Sequence, residues 1–138
     1  MKIIIDDSTK ISEIQSEFSK HFPFLKLEFF QFDPTEKKTF SKTNLVSNPE
    51  TTLNKIRHLH VPGYISLNGH QLVCTFEKYL KENFGINAQV FRKSGPNWLQ
   101  TTSTDSWTLS EQNAKGLEMD TVVENPSSEN FEEYQEHR

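Results

Sequence analysis

The sequence has a single cysteine, Cys74, and so no internal disulfide. Its five glycines, Gly63, Gly69, Gly85, Gly95 and Gly116, never come closer than six residues apart. A phosphate cradle needs clustered glycines so that backbone N–H groups can approach the ligand, which excludes P-loop and dinucleotide-fingerprint chemistry. Neither CxxC nor HExxH occurs, so the commonest zinc frameworks are missing. The N-terminus shows no charged-then-apolar leader, and no long apolar run follows. These features predict a soluble, cytoplasmic chain without a membrane span. Hydrophobic residues make up only 33% and mean hydropathy is -0.69, so part of the length is expected to lie outside the core.

What is present is aromatic. Phenylalanine occurs 11 times in 138 residues, which suits one domain with a core rich in rings. The net charge of -4 hides an uneven distribution. From Leu117 to Arg138 one arginine stands against seven carboxylates, or -6, leaving +2 for residues 1–116. Residues 1–116 therefore read as a single α+β domain, and 117–138 as an acidic, disordered tail.

Hydrophobic spacing places the elements. Ile11, Ile14, Phe18 and Phe22 recur at three, four and four, as do Val73, Phe76, Leu80 and Phe84, which predicts two amphipathic helices. Pro23 stops the first, and Gly85 closes the second with a left-handed residue. Asp6 to Thr9 offers caps to the first helix, while Glu77, Lys78, Lys81 and Glu82 of the second are expected to face water. Lys2 to Ile5, with three consecutive isoleucines, reads as a central strand covered on both faces. Leu25 to Phe32, His58 to Leu67, Asn87 to Lys93 and Trp98 to Thr102 are further strands, the last two joined through the turn formers Ser94 to Asn97. Asn48-Pro49-Glu50 begins a short helix through Leu53 and Ile56. Thr108-Leu-Ser-Glu111 is a capping box opening a last helix that Gly116 ends. The order predicts a ferredoxin-like split βαβ sandwich, with an additional C-terminal hairpin strand and short helix.

A shift of 62 residues lays Ile11 on Val73 and aligns Ile14 with Phe76, Phe18 with Leu80, Phe22 with Phe84, Phe24 with Ile86, and Phe29 with Phe91. Identity along this alignment is poor, so it reads as two helix-to-strand units that share geometry rather than ancestry.

Few residues suggest chemistry. His58 and His60 alternate on the expected strand and would point to one face, with His70 or Cys74 as further metal ligands, although two edge histidines are the plainer reading. Cys74, near a helix start, is a candidate thiolate but more simply a small packing residue. Asp6 and Asp7 are a candidate cation site but more simply cap the next helix and favour its positive end. The 91–107 segment is the strongest candidate, because Phe91, Arg92, Lys93, Trp98, Gln100, Asp105 and Trp107 bring cations and aromatic faces together. A body charge of only +2 is small for a nucleic-acid surface.

The block ENFGINAQVFRKSGPNWLQTTSTDSWTLSEQN resembles a family of small uncharacterised bacterial proteins that share FRKSG, W-L-x-T-T-x-T-D and W-T-L-x-x-Q-N strings. The likeness extends more weakly to residues 11–30. That family carries no assigned activity, so the resemblance implies no catalytic residues. The expected function is a non-enzymatic binding or assembly module without cofactor, using the 91–107 segment to contact a protein partner or a second copy. The alternative is nucleic-acid binding through Arg92, Lys93, Lys81 and the tryptophans.

Overall fold

The computed structural model describes residues 2–32, 35 and 42–122. Five strands and three α-helices alternate as β1 (Lys2–Ile5), α1 (Ile11–His21), β2 (Leu25–Phe30), β3 (Gly63–Ser66), α2 (Val73–Phe84), β4 (Asn87–Ser94), β5 (Asn97–Gln100) and α3 (Leu109–Val122). The α+β class holds. In place of one layer, the described strands form two antiparallel sheets, β1–β3 and β2–β4–β5.

The two apolar stripes do what their spacing predicts. Ile11, Ile14 and Phe18 of α1 and Val73, Phe76, Leu80 and Phe84 of α2 are buried. Helix α1 packs on β2 and α2 on β4. Helix α2 ends at Gly85, whose φ of 66° is the left-handed conformation expected there. Thr108 and Glu111 close the capping box at the start of α3, with Thr108 N–H donating to Glu111 Oε1 at 2.8 Å and Glu111 N–H to Thr108 Oγ1 at 3.1 Å.

The 62-residue shift acquires a geometric meaning. Ile3 pairs with Ile65, its own equivalent, at the centre of the β1–β3 ladder. In the β2–β4 ladder, Leu27 faces Val90 and Glu28 faces Gln89, and the shift exchanges these two pairs. An approximate twofold axis therefore runs through both ladders. Each half also pins the start of its helix to a returning segment through an isolated bridge. Ile11 N–H donates to Thr51 O and Leu53 N–H to Thr9 O, and in the second half Val73 N–H donates to Trp107 O and Leu109 N–H to Gln71 O. The repeat is thus one of backbone pairing, which poor side-chain identity does not reveal.

Several expectations are corrected. Strand β1 is not covered on both faces, because Ile4 stands 62% exposed, and among the described residues only β3 pairs with it, so it is not central. Residues 6–9 form their own turn, with Asp6 accepting from Ser8 N–H at 2.8 Å, and α1 starts only after Lys10. The helix expected through Leu53 is a single 3-10 turn, Leu53–Lys55, because residue 52 is held extended by its bridge to Lys10. The strand expected from His58 begins only at Gly63.

Gly116 does not end α3, which continues to Val122 and buries Met119. The first residues assigned to the acidic tail are therefore helical, and 123–138 lie outside the described residues. A methyl group at Gly116 would come within 2.8 Å of both Cβ and O of Phe24, so glycine allows α3 to approach the start of β2. Gly116→Ala should consequently destabilise the fold by about 1–2 kcal/mol, although alanine in a free helix is favoured by about 1 kcal/mol. Denaturant unfolding checks this, and a stabilised variant would contradict the close packing.

Candidate functional site

The β2–β4–β5 sheet separates the seven residues singled out between 91 and 107. Paired residues of an antiparallel ladder share a face, and the pairs Lys26–Phe91, Lys93–Trp98 and Phe91–Gln100 bring Phe91, Lys93, Trp98 and Gln100 onto one side. There, half-buried Trp98 lies beneath two ammonium groups, Lys26 at 5.0 Å and Lys93 at 5.6 Å from the ring centroid. Lys26 is paired with Glu28 at 2.9 Å, and Lys93 approaches Asp120 at 3.8 Å.

Arg92 points the other way and is only 1% exposed, which removes it from any external surface. Its guanidinium donates to Gln112 Oε1 at 3.0 Å and lies 5.6 Å from the centroid of half-buried Trp107. Gln112 in turn donates from Nε2 to Thr104 O and Thr104 Oγ1, both at 2.8 Å. Arg92 and Trp107 therefore belong to a structural relay from β4 through α3 to the turn at 102–104. The sequence separates Arg92 from Lys93 by one position, and strand alternation places them on opposite faces.

The histidines do not converge. His60 Nδ1 lies 3.0 Å from the Asp7 carboxylate, while His58 stacks on Phe32 at 3.9 Å between centroids. Arg57, buried, donates to the same Asp7 carboxylate at 2.9 Å and to Phe84 O at 2.9 Å, tying the loop to both halves. His60 and Arg57 together hold the Asp7 carboxyl below its ordinary value. No group of three or more histidine, cysteine, aspartate or glutamate side chains able to hold a metal occurs among the described residues.

A concave site forms where β5 leaves the sheet. Thr101 donates to Val90 O from its backbone at 3.4 Å and from Oγ1 at 2.9 Å, and the chain then turns away at 102–104. Beyond that point, among the described residues, β4 has no strand beside it on this side. The N–H of Val90 is taken instead by Glu77 Oε2 of α2, at 2.8 Å. Backbone groups two residues apart face the same way, so Ala88 also presents its N–H and C=O to this side. The resulting cleft, about 550 Å³, is lined by Cys74, Glu77, Lys78 and Lys81 of α2, Ile86 to Gln89 of β4, and Gln100, Thr102 and Asp105 of the returning chain.

Two features of this cleft are unusual for a surface hollow. The Glu77 carboxyl is pushed up to about 7, first by removal from water and also by the nearby Asp105 charge, against the opposing Val90 hydrogen bond. Asn87 is only 4% exposed, yet its Oδ1 accepts no hydrogen bond. Most buried polar atoms are satisfied, because an unmet acceptor costs about 1–3 kcal/mol. Gln89 is not in this position, since its Oε1 accepts from Gln100 Nε2 at 3.3 Å.

The twofold sharpens the contrast. Gln15 occupies in α1 the place of Glu77 in α2, and its amide donates to Leu27 O at 2.9 Å. A neutral amide serves the first half, and a carboxyl with a perturbed proton affinity serves the second. Of the seven sequence candidates, Gln100 and Asp105 reach the cleft, and Phe91, Lys93 and Trp98 share Gln100's sheet face. Glu77 and Asn87 were not signalled by the sequence, where Glu77 reads as a solvent-facing helix position. Comparison of the chain with protein-family models, with curated proteins and with solved structures finds no match.

Proposed function

We propose that this protein is a non-enzymatic binding module whose ligand occupies the cleft between α2 and the uncovered end of β4. The observation that carries the reading is the Glu77 carboxyl, drawn out of water onto Val90 N–H in the wall of that cleft. Its volume of about 550 Å³ suits a small molecule, and it combines apolar Ile86 and Ala88 with convergent polar groups, as ligand sites do. Catalysis draws no support from the lining, because Cys74 is its only thiol and no imidazole stands among these residues to activate it.

Titration of the isotope-labelled protein with a small-molecule fragment collection, followed through backbone amide resonances, tests this. Saturable shifts at Asn87, Ala88 and Val90 are expected from at least one chemical class. If none of the three responds to any compound, the cleft is an inert hollow and the reading is lost.

A second reading keeps the sheet face as a contact surface for a protein partner or another copy. It is favoured by half-buried Trp98 between Lys26 and Lys93, an aromatic platform with a charged rim. Nucleic-acid binding loses support, since Arg92 is inside and both lysines already have carboxylates nearby.

A further inference from the structure

We infer that β5 is a pairing edge for a second copy of this chain, the two strands running antiparallel about a twofold at Leu99, so that β2–β4–β5 becomes half of one continuous sheet. The inference lies apart from the ligand cleft, and it gives the second reading, self-association through this sheet, a definite register.

Backbone accounting locates the edge. Thr101 N–H donates to Val90 O, so Thr101 turns towards β4, and strand alternation turns Trp98 and Gln100 the other way. Among the described residues, the backbone N–H and C=O groups of both meet no partner. Of the described elements only β4 packs extensively on β5, while Trp98 and Leu99 are half-buried and Gln100 is exposed. The opposite edge of the same sheet is closed. Ser19 Oγ donates to Leu25 O at 3.0 Å, Gln15 Nε2 to Leu27 O at 2.9 Å, and Val46 N–H to Phe29 O at 2.9 Å. Open edges are commonly guarded by charged side chains, yet every residue from Gly95 to Thr104 is uncharged.

The count of donors and acceptors points to the occupant. The edge presents two N–H and two C=O groups on alternate residues, which an extended strand matches and a helix does not. An identical strand turned about Leu99 sets Trp98 opposite the second copy's Gln100, and Gln100 opposite the second copy's Trp98. Both pairs are then doubly hydrogen-bonded, and all four groups are met. The two Leu99 side chains meet at the axis on one face of the sheet. On the other, each Trp98 gains a glutamine neighbour, which carries the platform of Phe91 and Trp98 across the join. No like charges face each other over the axis, because the pairing segment has none.

Sedimentation velocity on the full chain from about 10 μM to about 1 mM tests this, since self-pairing is governed by concentration. A shift towards twice the monomer mass is expected, with amide exchange at Trp98 and Gln100 slowing over the same range. Gln100→Pro removes an outward donor and no bond to β4, and Gln100→Lys puts a charge on the edge at an exposed position. Each should weaken association about tenfold or more, and an unchanged amide spectrum for the lysine variant shows that its fold is intact. Register is read from cysteines introduced in a Cys74→Ser background. Leu99→Cys sets two Cα atoms about 4.5 Å apart across the axis, within disulfide reach, whereas Asn97→Cys holds them about 13 Å apart. Mild oxidation should therefore link the first dimer and not the second. A monomer at every concentration overturns the inference, as does a dimer that links through Asn97→Cys. A dimer lost on Trp98→Ala but indifferent to both Gln100 variants discards the edge and keeps the sheet-face reading.

Discussion

Replacing Phe18 by alanine is expected to lower the unfolding free energy by about 4 kcal/mol. Phe18 is fully buried on α1, and its ring stacks on Phe76 of α2 at 5.6 Å and lies 5.5 Å from Phe22. It therefore stands where the two helices of the repeat meet, joining α1 to α2 in the shared core. Alanine would remove a large apolar surface and leave a cavity that cannot close without moving one helix or the other. Small domains hold only about 5–15 kcal/mol in total, so the variant would sit close to the threshold of folding. Urea unfolding measures the effect, with Ile4→Ala as the internal reference, since Ile4 is exposed and should change stability by less than about 1 kcal/mol. Comparable losses for the two variants would mean that α1 and α2 do not share one core.

The sequence makes Phe18 visible because helical burial is local and periodic. The same holds for Val73, Phe76, Leu80 and Phe84, and for the cap at Thr108 and Glu111 and the stop at Gly85, each of which depends on neighbours within a few residues. What stays hidden depends on partners distant in the chain. The three isoleucines of β1 read as a central strand, but whether a second face is covered depends on what packs over it, and Ile4 is left exposed. Gly116 reads as a helix stop, while its purpose lies in the closeness of Phe24, more than ninety residues away. Arg92 reads as a surface cation until Gln112 and Trp107 are placed over it.

The candidate site follows the same division. Gln100 and Asp105 lie in a segment whose polar and aromatic residues mark it locally. Glu77 gains its character from burial against the end of β4, where it takes the N–H of Val90 because β5 departs at Thr101. No local pattern encodes that departure. The 62-residue repeat was legible as spacing, and pairing geometry gives it substance through the ladder centres at Ile3–Ile65 and around Leu27–Val90.

Glu77→Gln should make the protein more stable at pH 8 by about 2–3 kcal/mol and leave it nearly unchanged at pH 5. In the folded chain the Glu77 carboxyl titrates at about 7, against an ordinary value of 4.5. Between these values the native state retains a proton that the unfolded state has released, so stability falls as pH rises through that window and levels off above it. The full interval sets an upper bound of roughly 3 kcal/mol, and partial exposure of the side chain reduces it. Glutamine retains an oxygen for Val90 N–H and carries no charge to desolvate. Asp6 and Asp7, whose hydrogen-bond partners hold them below the ordinary carboxylate value, titrate beneath this window and do not contribute to it. Urea midpoints measured from pH 5 to pH 8 for both proteins should therefore diverge, because the difference between the two curves isolates residue 77 from every group they share. Parallel curves would place the carboxyl in water rather than against β4.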